Sequence, residues 1–324
     1  MCTAITYRTH DHYFGRNLDL ERSYSEHITI TPRCFPLHFR MVPPQQTHYA
    51  IIGVAHIAEN YPLYYDAVNE AGLAMAGLRF PDYTDYKPEA SDQDNIAPFE
   101  LIPWILGRCA TVDEAKAQLS RLNLIQLDFS QELPLTPLHW IIADRNRSIT
   151  VESVREGLFI YENTPGVLTN SPPFPLQLFR LNDFMHLTCD SPENHFSAAL
   201  NLHEYSRGMG ALGLPGDLSS GSRFVRAAFT KLNAVSGNSE SDSVSQVFHI
   251  LGTVAQIQGC VRLEENLYER TVYSICCNTD RGIYYYTTYE NSQVTAVDLH
   301  RENLDGKRLI SYPLLQKMQV QWQN

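Results

Sequence analysis

Segments with the alternating pattern of β-strands occupy both ends and the middle of this chain, and they constrain its fold more than any other feature. They are rich in β-branched and aromatic residues, and turn residues separate them. The predicted strands cover residues 3–7, 13–17, 27–31, 49–54, 63–68, 73–78, 139–144, 148–154, 158–162, 271–277, 282–289, 292–298 and 309–312. A polar turn at residues 9–12 makes the first two a hairpin that places Cys2 over Arg16.

Two blocks with helical spacing separate these strands. In the first block, residues 99–108 form one helix, and the capping box of Thr111 and Glu114 begins another. The predicted apolar face of that second helix contains Val112, Ala115, Leu119 and Leu122. The second block contains predicted helices at residues 175–184, 223–232 and 243–254. Residues 128–137 mix polar, apolar and proline residues and are predicted to be a loop at the rim of a pocket.

No linker, repeat or low-complexity segment divides residues 1–324, so a single domain is expected. Strands at both ends with two separate helical blocks predict sheets whose outer faces are covered by helices. The pattern therefore indicates an α/β layered fold.

The N-terminal residues carry the chemistry of a nucleophilic enzyme. Removal of Met1 leaves Cys2 with a thiol and a free α-amine on one Cα. An amine with an ordinary pKa of about 7.7–8.0 can accept the proton of a thiol with a pKa of about 8.5. A cation such as Arg16 lowers a thiol pKa, and a carboxylate such as Asp19 can orient the amine. Taken singly, these residues could equally be a packed thiol and a surface ion pair.

The charge of the chain argues against several classes of function. It carries 36 acidic and 25 basic residues, a net charge of -11, without a Lys and Arg cluster, so nucleic-acid binding is not expected. Charged residues in the first twenty positions are unlike a signal peptide, and no apolar run is long enough to cross a bilayer. We therefore expect a cytoplasmic protein without membrane contacts.

The cysteine and histidine patterns predict neither a disulfide framework nor a metal site. Seven cysteines without C-x-x-C spacing are typical of free thiols, and Cys276 and Cys277 are interpreted as packing residues. The twelve histidines are scattered, and none has metal-ligand spacing.

One motif suggests a nucleotide site without the context for it. Residues 208–213 match G-x-G-x-x-G, but no strand precedes them, and Pro215 and Gly216 prevent a helix from following. A flexible glycine loop beside a site is the preferred interpretation.

Two further polar residues have alternative readings. Asn170 follows a strand-like segment, where a carboxamide can donate to a developing oxyanion, although an asparagine turn is the ordinary reading. Arg223 stands at a helix start, where it cannot stabilise the macrodipole and so has another task, or is a surface arginine beside a serine cap.

In this order, the residues resemble the choloylglycine hydrolase family, which contains conjugated bile acid hydrolases and penicillin V acylases within the N-terminal nucleophile hydrolases. The resemblance covers nearly the whole chain. It rests on residues 1–3, 14–19, 76–78, 137–140, 168–170, 214–217 and 222–224.

The resemblance implies an α+β fold, a four-layer αββα sandwich that forms a homotetramer without a cofactor. It also implies roles for five residues. Cys2 is the nucleophile and base, Arg16 and Asp19 orient and activate it, Asn170 is an oxyanion donor, and Arg223 supports the site. Arg79 departs from the family, which usually has Asn after Ala-Gly-Leu, but its main-chain N–H can still donate.

The implied reaction is hydrolysis of glycine- or taurine-conjugated bile salts through a Cys2 thioester. By analogy with the family's pocket loops, the steroid slot is expected around Leu18, Leu20, Phe129, Leu133 and Leu135. The anionic end of the substrate requires local cations, for which Arg16, Arg79, Arg207 and Arg223 are the candidates. The alternatives are a penicillin V or N-acyl-homoserine lactone acylase on the same residues, and an inactive binding protein of this fold.

Overall fold

The computed structural model describes all residues from Met1 to Asn324. The strands are β1 (Cys2–Arg8), β2 (His12–Leu20), β3 (His27–Thr31), β4 (Ile51–Ala58), β5 (Tyr61–Asn69), β6 (Ala74–Arg79), β7 (Asp94–Ile96), β8 (Leu122–Leu124), β9 (Leu138–Ala143), β10 (Ser148–Val154), β11 (Gly157–Glu162), β12 (Val167–Leu168), β13 (Arg262–Glu264), β14 (Leu267–Tyr268), β15 (Arg270–Asn278), β16 (Ile283–Thr288), β17 (Thr295–Asp298) and β18 (Ile310–Pro313). The α-helices are α1 (Leu101–Leu106), α2 (Val112–Leu119), α3 (Phe174–Arg180), α4 (Ser220–Asn233) and α5 (Glu240–Gly252). Short 3-10 helices cover Pro98–Glu100, Leu181–Phe184, Met209–Ala211 and Leu299–Arg301.

Two large antiparallel sheets form the centre of the molecule. Sheet A has six strands in the order β12-β1-β2-β15-β16-β17, and sheet B has eight in the order β11-β10-β9-β6-β5-β4-β3-β18. Strands from both ends of the chain belong to these sheets. β1 and β15 flank β2 in sheet A, and β18 pairs with β3 at the edge of sheet B.

The two sheets pack face to face, and helices cover both outer faces. Apolar side chains of sheet A, including Leu18, share one buried cluster with Leu78 and Ile141 of sheet B. Helices α4 and α5 add Phe224 and Val247 to that cluster from the outside of sheet A. Helices α1 and α2 pack against the outside of sheet B through a second cluster, which joins their apolar residues to the outward residues of β6 and β9. The α+β, four-layer αββα sandwich implied by the resemblance is confirmed.

Most predicted elements are present with shifted ends, and one helix face needs correction. Leu122 does not continue the face of α2, because α2 ends at Leu119 and Leu122 begins β8, which pairs with β7. The predicted cap is present in a modified form. Thr111 Oγ1 accepts the N–H of Glu114 at 3.2 Å, but the Glu114 carboxylate accepts from Ala110 N at 2.7 Å, one residue before the cap.

Strands β4 and β5 of sheet B approach each other closely at Gly53 of β4. A Cβ atom on Gly53 would lie 2.1 Å from Asp66 O and 2.5 Å from Cβ of Ala67 on β5. The register of the β4–β5 ladder shifts between Val54 and Ala55, directly after this contact. Only a residue without a side chain allows β5 to lie in this position.

We therefore expect Gly53→Ala to lower the free energy of unfolding by about 1–3 kcal/mol, because overpacking must push β5 away. Urea denaturation measures the change. Gly252→Ala is the matched control, since a Cβ there meets nothing within 4 Å at the end of α5. The control should leave the stability unchanged or slightly higher. Equal stability of the two variants would contradict the steric argument.

Candidate active site

Cys2 and Arg16 meet on the face of sheet A that packs against sheet B. In the β1–β2 ladder, Cys2 pairs with Leu18 and Ala4 pairs with Arg16, so the guanidinium reaches the thiol diagonally across the hairpin. Arg16 Nη2 lies 3.2 Å from Cys2 Sγ and donates to Gly77 O at 2.8 Å. The Cys2 and Arg16 side chains are each only 1% exposed, so the contact is shielded from water. The predicted hairpin therefore brings the two residues together.

A buried carboxylate on sheet B fixes the other side of the Arg16 guanidinium. Asp66 Oδ2 lies 3.1 Å from Arg16 Nη1, and Tyr273 OH donates to the same oxygen at 2.7 Å. Tyr284 OH donates to the second oxygen, Oδ1. The sequence analysis missed Asp66, although it is the one charged residue within the predicted strand 63–68, and such an exception was a usable signal.

The electrostatic surroundings favour the Cys2 thiolate. Burial opposes ionisation of the thiol, but Arg16, together with the N-terminal ammonium, more than offsets it and holds the thiol pKa below its usual value. By contrast, burial raises the pKa of the Cys276 and Cys277 thiols, which lie within the core as predicted for packing residues. Cys2 is thus chemically distinct from these two core cysteines.

Asn170 lies two residues after the end of β12, and its carboxamide joins three groups of the site. Its Oδ1 accepts from Cys2 N at 2.9 Å and from Arg223 Nη2 at 2.7 Å, while its Nδ2 donates to Arg79 O at 2.7 Å. The main chain of Asn170 is held by Ser220 Oγ, which accepts from Asn170 N at 2.8 Å. These contacts fix the carboxamide orientation, because only Oδ1 can accept the two donors.

Arg223 is a buried arginine of the first turn of α4 and not a surface residue. Its Nη1 donates to Cys2 O at 2.5 Å and to Thr3 Oγ1 at 2.7 Å, and its Nε donates to Leu218 O at 3.0 Å. With the contact to Asn170, the guanidinium links α4 to β1 and to the end of β12. The reading of Arg223 as an exposed arginine beside a serine cap is wrong.

Asp19 is fully buried, and its carboxylate does not contact Cys2 N while Met1 is in place. Its Oδ1 accepts from Thr271 Oγ1 at 2.6 Å, and its Oδ2 has no hydrogen-bond partner. The ammonium of Met1 instead donates to Asp19 O at 2.8 Å and pairs with Glu269, a second buried carboxylate that the sequence analysis missed. Burial raises the pKa of the Asp19 carboxyl, and Arg223 opposes that rise.

The backbone of Arg79 points into the site, whereas its side chain is exposed. Arg79 pairs with Leu138 on β9, and the next residue, Phe80, donates its N–H to Pro137 O at 2.9 Å. Hydrogen-bonded and non-hydrogen-bonded pairs alternate along such a ladder, so the N–H and C=O of Arg79 both point away from β9. Its C=O reaches Asn170, and its N–H therefore faces the same side.

The other predicted substrate-binding residues lie in three parts of the chain: on β2, in the loop before β9, and in the segment between β12 and α4. Leu18 is buried on the same face as Cys2, and Leu20 is partly buried two residues further along β2. The loop that carries the half-buried Phe129, Leu133 and Leu135 enters β9 at Leu138, opposite Arg79, so it lies at the same end of sheet B. The Phe129 ring packs on Tyr61 and Phe99, with centroid distances of 6.1 and 5.2 Å. Arg207 is exposed between β12 and α4, and no contact joins it to Cys2.

The remaining sequence motifs do not add a second centre. The glycine motif contains the 3-10 helix Met209–Ala211 and is preceded by no strand, so it lacks the strand, turn and helix of a dinucleotide site. No group of three or more His, Cys, Asp or Glu residues is arranged to hold a metal ion. None of the helices combines the length and apolar character needed to span a bilayer.

We expect Arg16→Gln to raise the pH at which Cys2 becomes reactive by about 1–3 pH units, because loss of the cation raises the thiol pKa. The measurement is the rate of iodoacetamide alkylation against pH, read on the Cys2 peptide by mass spectrometry because Cys189 and Cys260 are also exposed thiols. Arg33→Gln, which removes a surface arginine paired with Glu70, is the control. An unchanged profile in Arg16→Gln would show that Arg16 does not govern the thiol.

The chain matches one described family and several described proteins. A family model described as linear amide C–N hydrolases, choloylglycine hydrolase family, matches residues 2–312. The chain is 57% identical over 319 residues to a bile salt hydrolase/transferase of Lactiplantibacillus plantarum, with 98% of each chain covered. Its fold matches the crystal structure of the C2A mutant of conjugated bile acid hydrolase from Clostridium perfringens, with a TM-score of 0.93, 35% identity and full coverage of both chains. Penicillin V acylase from Agrobacterium tumefaciens shares the fold, with a TM-score of 0.75 and 19% identity over 96% of this chain and 90% of that one. The chain therefore belongs to the choloylglycine hydrolase family of linear amide C–N hydrolases.

Proposed function

We propose that the protein hydrolyses the amide bond of glycine- or taurine-conjugated bile salts and releases the bile acid and the amino acid. The observation that carries the proposal is the buried contact of 3.2 Å between Cys2 Sγ and Arg16 Nη2, beside the carboxamide of Asn170. The relative with 57% identity is named a bile salt hydrolase/transferase, which supports the same substrate class.

The proposed mechanism begins with removal of Met1, which frees the α-amine of Cys2. The amine takes the thiol proton, and the thiolate attacks the amide carbonyl to form a tetrahedral oxyanion. The resulting α-ammonium protonates the amine as the C–N bond breaks, which leaves a thioester on Cys2. Water, deprotonated by the same amine, then attacks the thioester, and the released thiolate regains the proton. The unpartnered Asp19 Oδ2 is available to hold the ammonium through both steps.

Two donors are proposed for the oxyanion. Asn170 Nδ2 uses one hydrogen for Arg79 O, so its second hydrogen remains for the substrate. The N–H of Arg79 faces the same space and is the second donor. Loss of one oxyanion donor costs about 2.7–4 kcal/mol of transition-state stabilisation in a serine protease, and a loss of similar size is expected here.

The two ends of the substrate require different surroundings. For the steroid we propose an apolar slot formed by Leu18, Leu20, Phe129, Leu133 and Leu135 at the Arg79 end of the sheets. For the anionic end we propose the exposed side chains of Arg79 and Arg207. An anion that approaches a chain of net charge -11 depends on such local cations.

We also propose that the enzyme is cytoplasmic and assembles as a homotetramer. Large apolar side chains are exposed on the segment between β12 and α4, where Phe196 is 81% and Tyr205 85% exposed. Exposed apolar surface of this kind is typical of contacts between proteins. Size-exclusion chromatography with light scattering tests the oligomeric state.

Wild-type enzyme should release glycine from glycocholate and taurine from taurocholate, and Cys2→Ala should release neither while unfolding at the same temperature. The expectation follows because the thiol is the only proposed nucleophile. Release of glycine and taurine is quantified, and hydrolysis of penicillin V and of an N-acyl-homoserine lactone is assayed in parallel. Intact mass should show that Met1 is absent from active protein. Faster turnover of penicillin V or an acyl-homoserine lactone would assign the protein to that acylase class. Absence of turnover on every substrate would favour the binding-protein alternative.

Arg207→Ala should lower kcat/KM for taurocholate by roughly tenfold, and for glycocholate by less. The reason is that a sulfonate offers three acceptor oxygens to a guanidinium and extends further than the glycine carboxylate. Steady-state kinetics on both substrates measure the ratio. Arg79→Asn is the matched variant, because it removes the other exposed cation and should affect both conjugates alike. Equal losses on both substrates in Arg207→Ala, or a preference that follows Arg79, would contradict the assignment.

A further inference from the structure

We propose that Glu152 and His139 form a buried pair that positions Asn170, an inference that rests on the oxyanion role given to Asn170 in the proposed function. Glu152 lies on β10 and His139 on the neighbouring strand β9 of sheet B. Both side chains are at most 1% exposed, and His139 Nδ1 lies 3.0 Å from Glu152 Oε1. Neither residue contacts Cys2, so the pair has no place in the chemical steps themselves.

The pair holds the segment that carries Asn170 at both of its ends. His139 Nε2 donates to Thr169 O at 2.9 Å, directly before Asn170. Glu152 Oε1 accepts from Phe174 N at 2.9 Å, where α3 begins. A single carboxylate on sheet B thus fixes residues 169–174, directly through Phe174 and through the imidazole at Thr169.

The donors and acceptors around His139 and Glu152 define how the pair holds this segment. A carbonyl oxygen can only accept, so His139 Nε2 must carry a hydrogen toward Thr169 O. The contact between Nδ1 and Glu152 Oε1 then requires one further proton between these two atoms. The carboxylate supplies the negative charge that makes this arrangement neutral as a pair, which is the condition for burying it. Without that charge, one atom no longer holds both the imidazole and Phe174 N, so one end of residues 169–174 is released.

The same imidazole also contacts the segment that carries the other proposed oxyanion donor. The Phe80 ring stacks on the His139 ring with a centroid distance of 4.3 Å and an interplanar angle of 6°. Phe80 directly follows Arg79, and His139 pairs with Leu78 in the β6–β9 ladder. His139 is therefore packed between the residue before Asn170 and the residue after Arg79, and it sets the distance between the two donors.

Other contacts secure the main chain of this segment independently. Ser220 Oγ accepts from Asn170 N, and Gln177 Nε2 donates to Asn170 O at 3.2 Å, both from the helical layer outside sheet A. Loss of the Glu152 contact should therefore shift the main chain at Thr169 or Phe174, and with it the position of Asn170, without unfolding the segment. We expect an effect on the rate and little effect on substrate binding.

The test is a double-mutant cycle between Glu152→Gln and Asn170→Ala, measured as kcat and KM on glycocholate. Glu152→Gln cannot keep both contacts of Oε1 with a neutral imidazole, because an amide oxygen there accepts only from Phe174 N and an amide nitrogen donates only to His139 Nδ1. The variant therefore releases one of the two ends of residues 169–174. We expect it to lower kcat by about 10–100-fold, with KM changed by less than about threefold. In the Asn170→Ala background it should lower kcat by less than about twofold, because it acts through Asn170. Cys2 alkylation by iodoacetamide, which forms no oxyanion, should keep the wild-type rate in Glu152→Gln.

Two further variants keep the test decisive. Glu70→Gln is the control, because Glu70 also accepts a main-chain N–H, from Ala50, but lies in the β5–β6 turn at the opposite end of β6 from Arg79. It should leave kcat unchanged. His139→Gln provides the same test if Glu152→Gln does not fold, since it removes the Nδ1 contact. The inference is overturned if Glu152→Gln or His139→Gln leaves kcat unchanged. It is also overturned if either substitution lowers kcat by the same factor in the wild-type and Asn170→Ala backgrounds. If Asn170→Ala itself retains the full rate, the oxyanion role fails first and the inference falls with it.

Discussion

The contact between Arg16 and Asp66 is the interaction on which the rest of the site depends. Arg16 projects from sheet A and Asp66 from sheet B, so one ion pair both joins the sheets and orients the guanidinium toward Cys2 Sγ. A buried ion pair is tolerated only when further hydrogen bonds satisfy its atoms. Tyr273 and Tyr284 satisfy the carboxylate, and Gly77 O accepts from the guanidinium. The same ion pair therefore contributes both to the docking of the two sheets and to the position of the guanidinium beside the thiol.

The contacts of the Asn170 carboxamide determine which way its oxygen and its nitrogen point. Its oxygen receives hydrogen bonds from Cys2 N and from Arg223, and its nitrogen must consequently point toward the backbone of Arg79 on sheet B. The two groups proposed as oxyanion donors therefore come from both sheets. The contact between them does not use the Arg79 side chain, so the proposed role of the Arg79 main chain does not depend on an Asn at this position.

The sequence predicted the layers and much of the candidate site because both depend on local patterns. Alternation predicted the β1–β2 hairpin, whose register places Arg16 diagonally opposite Cys2. Asn170 and Arg223 were found through the resemblance, although local patterns gave each an ordinary reading. The short pairings β7–β8 and β13–β14 were missed because strands of two or three residues carry no measurable period. Glu269 was missed because its partner, Met1, is at the other end of the chain. Glu152 was missed because its partners lie on another strand and at the start of α3, which no local pattern indicates. The charge of Asp66 within an apolar strand was visible, but its partners Arg16 and Tyr273 were not.

These long separations also determine when the protein acquires its reactivity. The backbone of Cys2 is hydrogen-bonded to Asn170, which is 168 residues away in the chain, and to Arg223, which is 221 residues away. Contacts of such high sequence separation form late, since the entropy of closing the loops must first be overcome. A nascent or partly folded chain therefore carries Cys2 as an ordinary thiol. Only the complete fold holds the Arg16 guanidinium against the sulfur, through Asp66 and Gly77, which are 50 and 61 residues from Arg16 in the chain. The activated sulfur is therefore not exposed to stray electrophiles or to other thiols during folding.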